Sequence, residues 1–197
     1  MSTIATTIGP RDHGRPMSLQ EFDRAEGAEG RLYELSRGVI TVVEVPNPKH
    51  FAQVNALRMQ LSAYVLAKPG SCYAIASGSE CKIVVEGLAS ERHPDLAVYK
   101  EPPPDEEDVW ASWVPELVIE VVSADSADRD YRQKPEEYLR FGVQEYWVVD
   151  ASKQQMLAHR RSRGGWALKT IRTADNYKTR VLPGFGLNLA SVFAVAK

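Results

Sequence analysis

Three acidic residues stand among neighbours so apolar that their presence is informative. Glu120 lies deep in PELVIEVVS, residues 115–123, a nearly unbroken apolar run of the kind that forms a strand covered on both faces. A carboxylate there is costly unless it is paired or ligates a cation. Asp95 opens DLAVYK directly after Pro94, and Glu34 sits inside LYEL. Two such carboxylates on neighbouring strands can hold one divalent ion, with Glu34 adding charge from another direction. All-oxygen donors suit Mg²⁺ or Mn²⁺, which also coordinate substrate phosphates. The competing account is that each acid pairs with an arginine for structural reasons.

A second group follows in the polar stretch after Glu120. Asp130, Lys134 and Tyr138 are spaced four apart and share one stripe of a helix. An ammonium beside the carboxylates stabilises developing phosphoryl charge or orients an attacking water. A lysine on a solvated face does neither, and both accounts stay open. Pro135 sharpens the question, because proline suits the first position of a helix and disrupts its interior. His50 opens a long helical segment, as a neighbour of the metal site or as a helix-terminal group. Arg160, Arg161 and Arg163, in HRRSRGG, are candidate contacts to a nucleic-acid backbone, or else the solvated tip of a hairpin. His93 lies near Asp95 without zinc spacing to the cysteines. No Gly-x-Ser-x-Gly elbow, phosphate loop or His-Glu-x-x-His motif occurs.

The elements that must position these residues are readable from periodicity and punctuation. Ser18 and Glu21 mark the start of a short helix by their capping-box spacing. Residues 31–35 and 38–46 read as a hairpin. Val54, Leu57, Leu61, Tyr64 and Val65 recur at helical intervals after Pro48, and Pro69 and Gly70 end that helix. Strands are expected over 72–77, 81–87, from Asp95, around Glu120, and over 143–150, where Tyr146 and Trp147 read as core. EPPPDEEDVW is a loop, since consecutive prolines exclude helix interior and central strand alike. A helix ending at Gly142 follows the polar stretch. An antiparallel pair around QMLAHR and WALKTI comes later, and a short helix closes the chain. This order fits a mixed α/β (α+β) sheet flanked by helices. It does not fit a doubly wound dinucleotide fold, whose glycine fingerprint is missing, so no organic cofactor is expected. One domain is expected over residues 17–197, with residues 1–16 as a flexible leader.

Bulk properties agree. At 197 residues, 44% hydrophobic and 25% charged, the chain has an ordinary globular balance. No apolar run approaches the roughly 18 residues needed to cross a bilayer, and the first ten residues lack a secretory pattern. Cys72 and Cys81 read as a disulfide across a strand–turn–strand passage or, the simpler account, as reduced thiols in a cytoplasmic setting. A net charge of -2 argues against charge-driven coating of nucleic acid, although a local basic rim remains compatible with it.

YELSRGVI, a histidine soon after it, HPDLAVY, PELVIEVVS, D-x-x-x-K-x-x-x-Y and FGVQEYWVVD occur in this order. The ordered set resembles a large family of restriction-endonuclease-like bacterial proteins, numerous in cyanobacteria, within the PD-(D/E)XK nuclease superfamily. The resemblance runs from Met17 to PGFGLNL, and GVQEYWVVD is its most recognisable piece. It implies a restriction-endonuclease-like core: a central mixed sheet flanked by helices, with additional antiparallel hairpins. By this match Pro94 and Asp95 are the superfamily's Pro-Asp pair, Glu120 is the first acid of the second motif, and Glu34 is the early acid. The usual lysine position, two residues beyond Glu120, holds Val122, and the resemblance passes that role to Lys134 on the following helix.

The implied activity is endonucleolytic hydrolysis of DNA by metal-activated water. Asp95, Glu120 and Glu34 would serve Mg²⁺ or Mn²⁺, while Lys134 positions the water or neutralises charge. Tyr138 would orient the lysine or a phosphate oxygen, with His50 and Asp130 auxiliary. The other reading is a catalytically inactive nucleic-acid- or protein-binding module that retains the fold. Cutting both strands of a duplex is simplest with two symmetric sites, which makes a homodimer an expectation as well.

Overall fold

The structure is a computed structural model and describes residues 6–195. The chain opens with β1 (Thr7–Ile8), α1 (Leu19–Asp23) and β2 (Glu26–Gly27). Ser18 and Glu21 form the reciprocal cap: the Glu21 N–H donates to Ser18 Oγ at 3.2 Å and the Ser18 N–H to Glu21 Oε2 at 2.9 Å. β1 pairs parallel with β2, and Ile8 is buried in a cluster with Phe22 and Tyr33. Residues 6–16 therefore pack on the domain, which corrects the leader expected over 1–16. Residues 1–5 of that leader lie outside the described residues.

β3 (Leu32–Ser36) and β4 (Val39–Val43) form the expected hairpin. Its two-residue turn has Arg37 at φ 51° and Gly38 at φ 77°, the left-handed pair whose twist matches that of the flanking strands. α2 (Pro48–Ala67) starts at the capping residue Asn47, whose side-chain oxygen accepts the His50 N–H at 2.9 Å. Then come β5 (Ala74–Ala76), β6 (Ile83–Val85), β7 (Ser90–Arg92) and β8 (Leu96–Tyr99). β7 has the sequence SER, with no apolar alternation to announce a strand. The second half holds α3 (Val109–Ser112), β9 (Leu117–Val121), a π turn (Arg129–Gln133) running into α4 (Lys134–Phe141), and β10 (Glu145–Asp150). β11 (Gln155–Ser162), β12 (Gly165–Arg172), β13 (Tyr177–Lys178), β14 (Gly186–Leu187) and α5 (Leu189–Ala194) complete it.

The main sheet has the order β12-β11-β10-β9-β8-β5. Its β9–β10 pair is parallel, and its other neighbours are antiparallel. A parallel pair needs a crossover, and the π turn with α4 supplies it. Leu57, Leu61, Val192 and Phe193 from α2 and α5 pack on Leu117, Ile119 and Val121. On the opposite face, Tyr138 from α4 and Ile83 and Val85 from β6 pack on Val118, Tyr146 and Val148. Burial on both faces is the reason β9 reads as unbroken apolar sequence. Strand alternation puts Glu120 on the α4 face with Val118. A smaller sheet, β4-β3-β7-β6, carries Glu34 and Arg92 toward the same region. Among the described residues no helix is long and apolar enough to cross a membrane. Cys72 and Cys81 are free thiols.

Candidate active site

β8 and β9 are registered with Leu96 opposite Ile119, so Asp95 and Glu120 stand beside each other across the pair. The Val121 N–H donates to Asp95 Oδ2 at 2.7 Å, and the Asp95 N–H reaches Glu120 Oε2 at a long 3.4 Å. His50, from the first turn of α2, places Nε2 3.2 Å from Asp95 Oδ2 and 3.0 Å from the Val121 carbonyl oxygen. Both neighbours are acceptors, so Nε2 carries the proton. Burial disfavours the charged imidazole, but the Asp95 and Glu120 charges outweigh it and raise the His50 pKa above its ordinary value.

Lys134 comes from the far side of the main sheet. Its side chain is buried, with Nζ 2.9 Å from Glu120 Oε1 and 2.8 Å from Asp130 Oδ1. Pro135 assists this aim. The π turn sends the Lys134 N–H to the Arg129 carbonyl, and continuing that pattern would need an N–H at residue 135, which proline lacks. The Asp130 carbonyl left over accepts the Tyr146 hydroxyl at 2.8 Å. Tyr138, one turn further on, donates its hydroxyl to Glu120 Oε1 at 2.5 Å and is fully buried. The tyrosine therefore orients the glutamate rather than the lysine or a phosphate oxygen, which corrects the sequence expectation.

Burial lifts the Glu120 carboxyl to about 8 despite the attraction of Lys134, and Asp95, Asp130 and Glu34 add repulsion. Burial works against the Lys134 ammonium too. The surrounding Asp130, Glu120 and Glu34 nevertheless raise its pKa above the usual lysine value. Lys134 thus stays a cation, suited to stabilising negative charge and unsuited to accepting a proton.

Glu34 meets the competing account. Its Oε2 accepts from Arg92 Nη1 at 3.2 Å and its Oε1 from the His93 N–H at 3.0 Å. Arg92 is fully buried and is also gripped by Glu137, at 2.7 Å from Nε and 3.0 Å from Nη2. Glu34 acts on Glu120 through its charge, while Asp95 and Glu120 have no arginine partner among the described residues.

The arginines of the β11–β12 hairpin are elsewhere. Arg160 is paired across the ladder with Glu145 and, one strand on, lies level with Leu117, toward the end of β9 away from Glu120. Its guanidinium donates to the Tyr177 hydroxyl and the Lys178 carbonyl, and that of Arg161 to the Val143 and Leu139 carbonyls. These contacts hold the strand against its neighbours, at the end of the sheet away from Glu120. Arg163 is exposed at the tip.

Glu34, His50, Asp95, Glu120 and Lys134 all line one cavity of about 700 Å³, together with Arg129. Arg129 carried no motif in the sequence. The only signal was its place just before the Asp130–Lys134–Tyr138 stripe.

Among the described residues no three His, Cys, Asp or Glu side chains converge as a ready-made metal cage. Mg²⁺ is commonly held by one or two carboxylates plus waters and substrate phosphates rather than by a full protein cage. Asp95 and Glu120 are such a pair, hard oxygen donors on adjacent strands, and Asp95 Oδ1 has no partner among the described residues. Burial, with the neighbouring acids adding to it, disfavours the charged form of Glu120, and a bound cation would favour that form. These residues fit the ion.

A central mixed sheet with helices on both faces, an Asp-Glu pair on adjacent strands and a lysine from the crossover helix define a protein of the restriction-endonuclease-like, PD-(D/E)XK type. The chain belongs to the Uma2 family, described as "Putative restriction endonuclease", whose model matches residues 19–190. Its fold is similar to that of "a putative nuclease belonging to DUF820" from Anabaena variabilis. That likeness has a TM-score of 0.73 at 19% identity and covers 92% of this chain and 100% of the other. The type IIG restriction endonuclease BpuSI aligns with a TM-score of 0.39 at 11% identity, over 78% of this chain and 17% of that one. No curated protein matches the sequence. The family and fold expected from the ordered motifs are those found.

Proposed function

We propose that this protein is a divalent-metal-dependent endonuclease that hydrolyses DNA phosphodiester bonds. The observation that carries the reading is the pairing of Asp95 and Glu120 across β8 and β9, free of arginine among the described residues, with the Lys134 ammonium 2.9 Å from Glu120 Oε1. Asp95 and Glu120 would hold Mg²⁺ or Mn²⁺. When bound, the ion supplies Lewis acidity to the scissile phosphate and to the attacking water.

The chain's own residues do the remaining work. Tyr138 and Lys134 fix Glu120 Oε1, leaving Oε2 toward Asp95. His50 and the Val121 N–H fix Asp95 Oδ2. Lys134 supplies fixed positive charge for the transition state. Its burial and its pairing with Asp130 hold that charge in place without reorganisation.

The deciding experiment incubates the protein with supercoiled and linear DNA in Mg²⁺ or Mn²⁺, beside Glu120→Gln, a neutral near-isostere. Cleavage by the parent that is lost in a variant with unchanged circular dichroism supports the reading. Equal cleavage by both proteins refutes this active centre. Metal-independent DNA binding without cleavage by the parent favours the binding-module reading instead.

A further inference from the structure

Five residues lining the cavity bear or can bear positive charge, and four of them are already engaged. Lys134 is paired with Glu120 and Asp130, His50 with Asp95, and His93 with Glu91; His13 accepts the Val42 N–H. The fifth is Arg129. Among the described residues it forms no ion pair, although Asp128 and Asp130 flank it in sequence. Asp128 turns to Arg132 and Asp130 to Lys134. Arg129 Nε is buried and has no hydrogen-bond partner.

A desolvated guanidinium N–H with no acceptor is expensive, and native proteins retain few of them. The planar fork of arginine matches the oxygens of a phosphate, to which it donates two parallel bonds. Its seat is fixed as well. The Arg129 carbonyl accepts the Lys134 N–H across the π turn, a local helix form that recurs at functional sites. One backbone hydrogen bond thus sets the spacing between Arg129 and the ammonium beside Glu120. The neighbouring hydroxyl is not available to a ligand in the same way: Ser126 Oγ accepts the Ser123 N–H at 2.9 Å and donates to Asp130 Oδ2 at 2.5 Å.

We propose that Arg129 is the phosphate-binding residue of the cavity, donating to non-bridging oxygens of the phosphodiester presented to Asp95 and Glu120. This role presupposes that the cavity receives a phosphodiester, and it adds a direct substrate contact that the carboxylate–lysine group lacks. The ligand class is a phosphate diester of the nucleic-acid backbone, recognised without base contacts.

Two measurements on the full chain test the assignment, each with the parent, Arg129→Gln and Arg129→Lys. In the first, fluorescence anisotropy follows a labelled duplex in Ca²⁺ across a salt series. The expected result is a roughly ten- to hundredfold loss of affinity for Arg129→Gln. Its log–log salt slope should be shallower by about 0.9, one phosphate contact. Arg129→Lys should keep the slope and lose part of the affinity, because it retains charge without the fork. In the second, thermal unfolding is followed against dimethyl phosphate, with no DNA present. The parent should be stabilised and Arg129→Gln should not.

Identical affinity and slope for parent and Arg129→Gln, or a dimethyl phosphate effect equal in both or absent from the parent, overturns the assignment even if the parent cleaves DNA. A parent that neither binds nor cleaves DNA, yet responds to dimethyl phosphate through Arg129, upholds the phosphate site while the endonuclease reading fails. Arg129→Lys serves as the folded control should Arg129→Gln prove unstable.

Discussion

Lys134 Nζ lies 2.9 Å from Glu120 Oε1 although the two residues come from a helix and a strand. The position two residues beyond Glu120, from which a lysine would share its face of the strand, holds Val122. The ammonium reaches the carboxylate by the crossover α4, and Asp130 one turn earlier shares it. Lys134→Met should therefore expose two roles at once. With the cation gone, buried Asp130 loses its counter-charge and Glu120 a donor, a loss of about 3–5 kcal/mol measurable by urea unfolding. DNA cleavage, normalised to folded protein, should fall by roughly 10²–10³, as for other fixed transition-state donors. Full cleavage by the variant would remove Lys134 from the site.

Glu120 should link metal uptake to protons. Its carboxyl is raised from the ordinary 4.5 to about 8 by burial and by neighbouring acids. Between those values the folded chain holds a proton that the unfolded chain has released. Stability without metal accordingly falls as pH rises through this window. Glu120→Gln should flatten that slope. Mn²⁺ binding at pH 7 should expel a proton, seen in calorimetry as a binding heat that varies with the buffer's ionisation enthalpy. A heat independent of buffer would contradict the protonated state.

His159 gives the opposite slope at acid pH. It is buried on β11 between the rings of Tyr146 and Trp166, at 5.1 and 5.9 Å between centroids. Burial lowers its pKa from 6.5 to about 4. From 6.5 downward the unfolded chain takes up a proton that the folded chain refuses, so stability is lost as pH falls toward 4. Replacing the ring by phenylalanine should remove that component. Unfolding midpoints measured across this range in both proteins decide it, and parallel curves would exclude His159 as the cause.

Arg92 separates architecture from chemistry. Its guanidinium is fully buried between Glu34 and Glu137. Arg92→Met should cost about 3–5 kcal/mol by leaving buried Glu34 without its arginine and Glu137 with only the longer Arg37 contact at 3.7 Å. Glu34→Gln keeps one acceptor oxygen, for either Arg92 or the His93 N–H, and turns its amide NH₂ toward the other donor, so it should destabilise less than Arg92→Met but measurably. Cleavage by Glu34→Gln then reports whether Glu34 matters as charge near Asp95 and Glu120. Unaltered metal affinity and rate would confine it to the Arg92 network.

Much of this architecture was legible in the residue order. The Ser18–Glu21 cap, the hairpin through Arg37 and Gly38, the long α2 and the apolar β9 all follow from local rules of capping, turn chemistry and burial. β7 was not legible, because Ser90, Glu91 and Arg92 are buried by partners remote in sequence rather than by an apolar pattern. The packing of Thr7 and Ile8 was hidden for the same reason: two residues are too few to show a period.

The site divides along the same line. Sequence alone determined that Glu120 must be compensated, since a carboxylate inside a doubly covered strand tolerates neither isolation nor exposure. It also placed Asp130, Lys134 and Tyr138 on one helical stripe. Only the tertiary structure decided who compensates whom: Lys134 and Tyr138 at Glu120, His50 at Asp95, Arg92 at Glu34, and no anion at Arg129. Pairings of this kind depend on ångström distances between elements that the chain closes through long loops. A local pattern fixes the face on which a side chain stands, whereas its partner is set by the packing of another element against that face.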